Sequence, residues 1–207
     1  MRFFKFPKWQ KWFYPDAIWD FFSVQEKTIY LTFDDGPNQE TTTWLLELLK
    51  QEGIKATFFC LGSQAYEFPD LIKQISYEGH QMGTHGMYHQ GGFFSLNSSY
   101  VSNVIKSEHY IRTRFFRPPY GRIKPAQFKQ LKKMGYTIVF WSCLTYDFDT
   151  KFSSEKRIEL IKKSTKPGAI FVFHDTQKAF QNLQNELPDL IKFWKSHGYN
   201  FNVIRKK

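Results

Sequence analysis

The stretch Thr28-Ile29-Tyr30-Leu31-Thr32-Phe33-Asp34-Asp35-Gly36-Pro37 decides how this chain folds. Residues 28–33 are β-branched, aromatic or apolar throughout, as a strand requires, and Gly36-Pro37 stops the run at once. Two carboxylates therefore stand at a strand end. Side chains alternate along a strand, so Asp34 and Asp35 point different ways and suit different tasks, one binding a cation while the other stays free to take a proton.

Working outward from this strand, the pattern alternates. Strands are predicted at 27–33, 55–61, 81–85, 115–117, 136–143, 169–173 and 201–204, and helices at 41–52, 68–78, 98–114, 126–134, 153–164 and 182–196. About seven such repeats imply parallel strands wrapped by helices, either a barrel or an open doubly wound sheet. In both, ligands gather where strands end.

The chain has 207 residues, of which 42% are hydrophobic and 19% aromatic, enough to bury the core of one domain. That domain is read over 27–207, with an aromatic and basic segment, 1–26, packed on it. Net charge is +10, from 29 basic and 19 acidic residues. Such a field favours anionic partners, but the lysines are scattered through nearly every segment and read as a soluble basic surface. No nucleic-acid recognition motif accompanies them. Cys60 and Cys143 lie in apolar runs and are expected to be buried thiols. The start of the chain lacks an apolar h-region and a small-residue cleavage site, so a cytoplasmic or membrane-associated location is expected. Contact of 1–26 with a membrane surface is the alternative to packing.

Reactive residue types fall at the predicted strand ends: Asp34 and Asp35, then His85, then Arg117, then His174 with Asp175. His85 and His89 are spaced to bring two imidazoles to one side of a helical turn, and two His with one carboxylate form a common facial set for a divalent metal. His174 follows Ile170-Phe171-Val172-Phe173 and is expected at the mouth of an apolar pocket, where a near-neutral pKa suits a general acid. Arg117 can pair with a carboxylate and fix its direction. The rigid Pro118-Pro119-Tyr120-Gly121 turn after it can aim a backbone N–H as an oxyanion donor. Pro118, Pro119, Phe148 and Phe173 are expected to face the substrate, Phe148 as an aromatic wall.

These residues resemble the motifs of the NodB-like polysaccharide deacetylases, carbohydrate esterase family four. Thr32-Phe33-Asp34-Asp35-Gly36-Pro37 resembles the first motif, His85-Gly86-Met87-Tyr88-His89 the second, Arg117-Pro118-Pro119-Tyr120-Gly121 the third and Phe173-His174-Asp175 the fifth. The resemblance runs from about residue 27 to residue 204. It implies a distorted (β/α) barrel, usually of seven strands, holding a divalent metal, most often zinc, with cobalt and nickel as alternatives. It also implies that Asp34 is the base, that Asp35, His85 and His89 are metal ligands, that Tyr120 offers its N–H to the oxyanion, that His174 is the acid and that Arg117 orients a carboxylate. The implied substrate is an N-acetylated glycan or glycolipid sugar.

Two positions depart from the family pattern. Gly86 stands where a Ser or Thr hydroxyl usually braces the metal loop, so weaker metal binding is expected. Leu144 stands where the fourth motif usually has Asp, while Asp147 keeps that motif's second acid. The alternatives to an N-deacetylase are a catalytically silent glycan-binding domain and a hydrolase using the same metal site on an O-acetyl ester or another amide.

Overall fold

The computed structural model describes residues 10–22 and 26–206. Its strands are β1 (Thr28–Asp34), β2 (Thr57–Cys60), β3 (Gln81–Thr84), β4 (Phe115–Phe116), β5 (Thr137–Ile138), β6 (Cys143–Leu144), β7 (Ile170–His174) and β8 (Asn200–Phe201). Its helices are α1 (Gln10–Phe13), α2 (Gln39–Gln51), α3 (Gly62–Glu67), α4 (Pro69–Tyr77), α5 (Asn97–Ser107), α6 (Pro125–Lys133), α7 (Ser154–Ser164) and α8 (Phe180–Ser196). All strand pairs are parallel, in the order β5-β4-β3-β2-β1-β7-β6, and this path curls into a half-barrel. The short β8 also pairs with the start of β1. Among the described residues no helix is long and apolar enough to cross a membrane.

Every residue of β1 is buried, as a central parallel strand covered on both faces must be. Ile29, Leu31 and Phe33 pack outward into the main core, together with Leu45, Leu46 and Leu49 of α2 and Leu183, Leu187, Leu190, Ile191 and Trp194 of α8. Tyr30 faces the other way, into a second cluster with Phe59, Val139, Trp141, Ile170 and Val172. Asp34 is in phase with Tyr30 and Thr32, so the strand carries it to the inner face of the curl. A third cluster joins Tyr100, Val101 and Val104 of α5 and Phe128 and Leu131 of α6 to Phe116 and Ile138.

The same alternation corrects one expected residue. Phe173 is 1% exposed and belongs to the outward core, where its ring lies 5.8 Å from that of Phe33. It does not face substrate; its strand neighbours Val172 and His174 occupy the inner side.

The strand expected at 136–143 is two strands. Thr137 and Ile138 pair with β4, whereas Cys143 and Leu144 pair with β7, at the opposite end of the path. One straight strand cannot reach both ends of a curled sheet, so 139–142 crosses between them. Ile18 is stitched in beside this crossing: its N–H donates to Ile138 O (2.9 Å) and its carbonyl accepts from the Phe140 N–H (2.7 Å). Trp19 stacks on Phe140 at 4.0 Å. Residues 1–9 of the leader lie outside the described residues. The helix expected at 98–114 ends at Ser107, because Ile111 must turn back into the main core before β4 begins. Helix α3, which has no counterpart among the expected helices, packs Ala65 into that core.

Truncating the core ring tests its placement: Phe173→Ala should cost about 3–5 kcal/mol of unfolding free energy in urea. A loss below about 0.5 kcal/mol, as for a surface site, would place the ring outside the core.

Candidate active site

The inner ends of the strands surround a cavity of about 450 Å³. It is lined by Asp34 and Asp35 after β1, His85 and His89 after β3, Tyr120 after β4, Trp141, Leu144 and Phe148 around β6, and Val172, His174, Thr176 and Lys178 along and after β7. Parallel pairing sets Asp34 opposite His174 in register, and paired residues on neighbouring strands point to the same side of the sheet. A carboxylate and an imidazole thus meet across one wall.

Asp34 is 2% exposed. Its Oδ1 accepts from Arg117 Nη1 at 2.7 Å, and the same Nη1 donates to Thr32 Oγ1 at 2.6 Å. Burial pushes the Asp34 pKa up to about 6, against the pull of the Arg117 and His174 charges. His174 is raised as well, but by its charged partner and against its burial. Burial alone would depress it, yet the Asp147 carboxylate holds it up at about 9. Asp147 Oδ1 lies 2.8 Å from His174 Nδ1, and its Oδ2 accepts the His174 backbone N–H at 2.7 Å. Between those two values Asp34 is ionised and His174 is protonated, one group ready to accept a proton and the other to give one.

Asp35 leaves the strand with φ 77°, a conformation uncommon for a residue with a side chain. Gly36 follows because no Cβ fits there: one would lie 2.0 Å from Asp175 Oδ2. The buried Asp175 does not join the cavity. Its carboxylate accepts from the Gly36 N–H (3.0 Å) and the Thr42 hydroxyl (2.7 Å), tying the turn to α2.

Asp35 Oδ1 is buried without a hydrogen-bond partner. It lies 3.6 Å from His85 Nε2 and 3.3 Å from His89 Nε2, and the three candidate ligand atoms fall within 4.8 Å of one another. His85 Nδ1 sits 2.8 Å from Arg117 O. A carbonyl only accepts, so Nδ1 carries the proton and Nε2 presents a lone pair toward Asp35. Burial holds the His85 pKa well below its ordinary value and lowers that of His89, so both rings are neutral, as ligands must be. An orphaned carboxylate oxygen facing neutral imidazoles fits a divalent cation.

The structure thus brings together Asp34, Asp35, His85, His89, Arg117, Tyr120, Phe148 and His174 at one strand-end site. Arg117 lies behind the cavity wall, fully buried, and Pro118 and Pro119 are buried in the turn without lining the cavity. Phe148 stands edge-on to His174 at 4.7 Å. The sequence reading missed the bonds from Asp147 to His174 and the cavity positions of Trp141, Val172, Thr176 and Lys178. Asp147 carried a signal, an acid beside an aromatic after a strand, but its partner lies 27 residues away.

Residues 23–139 match the model of the polysaccharide deacetylase family. Over 183 residues the chain is 33% identical to a peptidoglycan-N-acetylglucosamine deacetylase of Bacillus cereus, an alignment covering 85% of this chain and 66% of that one. Over 195 residues it is 31% identical to the peptidoglycan-N-acetylmuramic acid deacetylase PdaA of Bacillus subtilis, covering 88% and 72%. The crystal structure of the Bc1960 peptidoglycan N-acetylglucosamine deacetylase superposes with a TM-score of 0.87 at 30% identity, covering 96% of this chain and 95% of that one.

The Asp147 contact sets a measurable charge state. By NMR, His174 in the metal-free protein should titrate near pH 9. In Asp147→Asn the raising partner is gone, so the value should fall by about 1–3 units; an unmoved titration would remove Asp147 from that role.

Proposed function

The chain belongs to the polysaccharide deacetylase family, and we propose that it hydrolyses the N-acetyl group of an amino sugar within peptidoglycan or a related glycan. The observation that carries this reading is the pairing of Asp34 with His174 across a cavity that also holds the Asp35, His85 and His89 cluster. Asp35, His85 and His89 would hold a divalent cation, with zinc the proposed ion and cobalt or nickel alternatives. Bound there, such a cation supplies Lewis-acid chemistry, polarising a carbonyl oxygen and lowering the pKa of a water.

The chain's own groups do the rest. Arg117 occupies Asp34 Oδ1, which leaves Oδ2 to take the proton of the attacking water. As the acetyl carbonyl becomes tetrahedral, the Tyr120 N–H donates to its oxygen. His174 Nδ1 faces Asp147, so Nε2 delivers the proton to the departing amine. The C–N bond breaks, leaving acetate and a free amino sugar. Leu144, Trp141 and Val172 give the cavity an apolar wall against which an acetyl methyl is stabilised on leaving water, and Phe148 offers a ring to a sugar face.

Asp34→Asn should retain zinc while acetate release from peptidoglycan fragments or chitooligosaccharides falls by about 10²–10⁴-fold. His85→Ala should lose both zinc and turnover. Equal metal loss in the two variants would refute the division between Asp34 and Asp35. A fully zinc-loaded wild-type chain that binds glycans yet releases no acetate would instead indicate a silent binding domain, and release from acetylxylan alone an O-acetyl esterase.

A further inference from the structure

His85 and His89 are held in place by different means. The His85 ring is oriented by Arg117 O. His89 touches the edge of the Tyr120 ring at 4.3 Å, but among the described residues no hydrogen bond orients its second ring nitrogen. Its placement therefore depends on the backbone that carries it.

That backbone is gripped from α5. Asn103 is 6% exposed, and its side chain spends both polar groups on one residue: Oδ1 accepts from the Tyr88 N–H at 2.9 Å and Nδ2 donates to Tyr88 O at 3.0 Å. The Asn103 carbonyl accepts the Met87 N–H at 2.9 Å as well. Only a side-chain amide of this length offers a donor and an acceptor side by side; a carboxylate would set an oxygen against the Tyr88 carbonyl, and a leucine would leave the Tyr88 N–H without its partner and the Tyr88 carbonyl with the Gln90 N–H alone. The loop's other flank is tied to the start of α3, where the Gly62 and Ser63 N–H groups donate to Gly86 O (2.8 Å) and Met87 O (2.9 Å).

Gly86 is the counterpart of this grip. It has φ 90°, and a Cβ there would lie 2.5 Å from Asn103 Nδ2. The missing side chain at 86 and the amide at 103 occupy the same space.

We propose that Asn103 is a positioning residue for the cation site: it sets the backbone between His85 and His89 so that His89 Nε2 faces Asp35 before any ion arrives, and Gly86 is glycine to admit it. This rests on the reading of Asp35, His85 and His89 as cation ligands.

The test is a Co²⁺ titration of the full chain followed by absorption spectroscopy. Asn103→Leu should keep the wild-type circular dichroism of the metal-free protein while its Co²⁺ dissociation constant rises about 10–100-fold, as for other groups that support a ligand from behind. Asn103→Asp should move it in the same direction. Wild-type affinity in a folded Asn103→Leu would overturn the proposal alone, whereas a wild-type chain that takes up no Co²⁺ would overturn the cation reading and the proposal with it. Should neither variant fold, hydrogen exchange of the metal-free wild type decides: a protected Tyr88 amide is expected, and free exchange there would overturn the grip.

Discussion

A guanidinium with no access to water governs the interior of this molecule. Arg117 is 0% exposed and donates to Thr32 Oγ1, Asp34 Oδ1, Val139 O and Phe140 O, with its carbon 4.0 Å over the Phe59 ring. A charge buried so deeply is tolerable only when a counter-charge and hydrogen-bond acceptors surround it. β1 supplies the counter-charge, and the crossing between β5 and β6 supplies the carbonyls. The same residue's backbone binds Thr84 O through its N–H and the His85 ring through its carbonyl. The orientation of Asp34 and the tautomer of His85 therefore share one anchor.

The electrostatics of the cavity follow from what each acid and base is buried against. Asp34 has a cation behind it, but burial wins and its pKa rises. His174 is buried too, yet the Asp147 carboxylate bonded to its ring and backbone outweighs that burial. Asp147 is itself held by hydroxyl and backbone contacts. Thr145 Oγ1 donates to its carboxylate, Asn182 donates to its carbonyl, and Arg157, forked onto Glu186, binds the carbonyls of Tyr146 and Asp149 on either side. The positive φ of 59° at Tyr146 is sustained by that frame.

Much of this was legible in the sequence because the reactive residues sit where strands stop. Asp34, Asp35, Arg117 and His174 follow apolar runs and His85 follows a short strand, and parallel strands bring such ends together without further instruction. Alternation within a strand was also available, and applying it to Phe173 as strictly as to the aspartates would have sent that ring outward. Bonds between distant segments were not legible. Nothing around Asn103 distinguishes it from any polar residue on a helix, and the departure at Gly86 read as a lost brace because the amide that fills its space comes from another element. The break within 136–143 was hidden for a related reason: the run has no Gly, Pro or charge to interrupt it, and it is sheet curvature that divides it.

The seam at Ile18 gives the beginning of the described chain an unexpected mechanical standing. Ile18 is bonded to both Ile138 and Phe140, and the Phe140 carbonyl is one of the four acceptors around Arg117. A line of direct contacts therefore runs from a segment whose composition suggests a mere leader, through one backbone turn, to the cation seated behind Asp34. Any force applied to the residues before β1, whether from a tether, a neighbouring domain or a surface, would be delivered to the wall of the cavity.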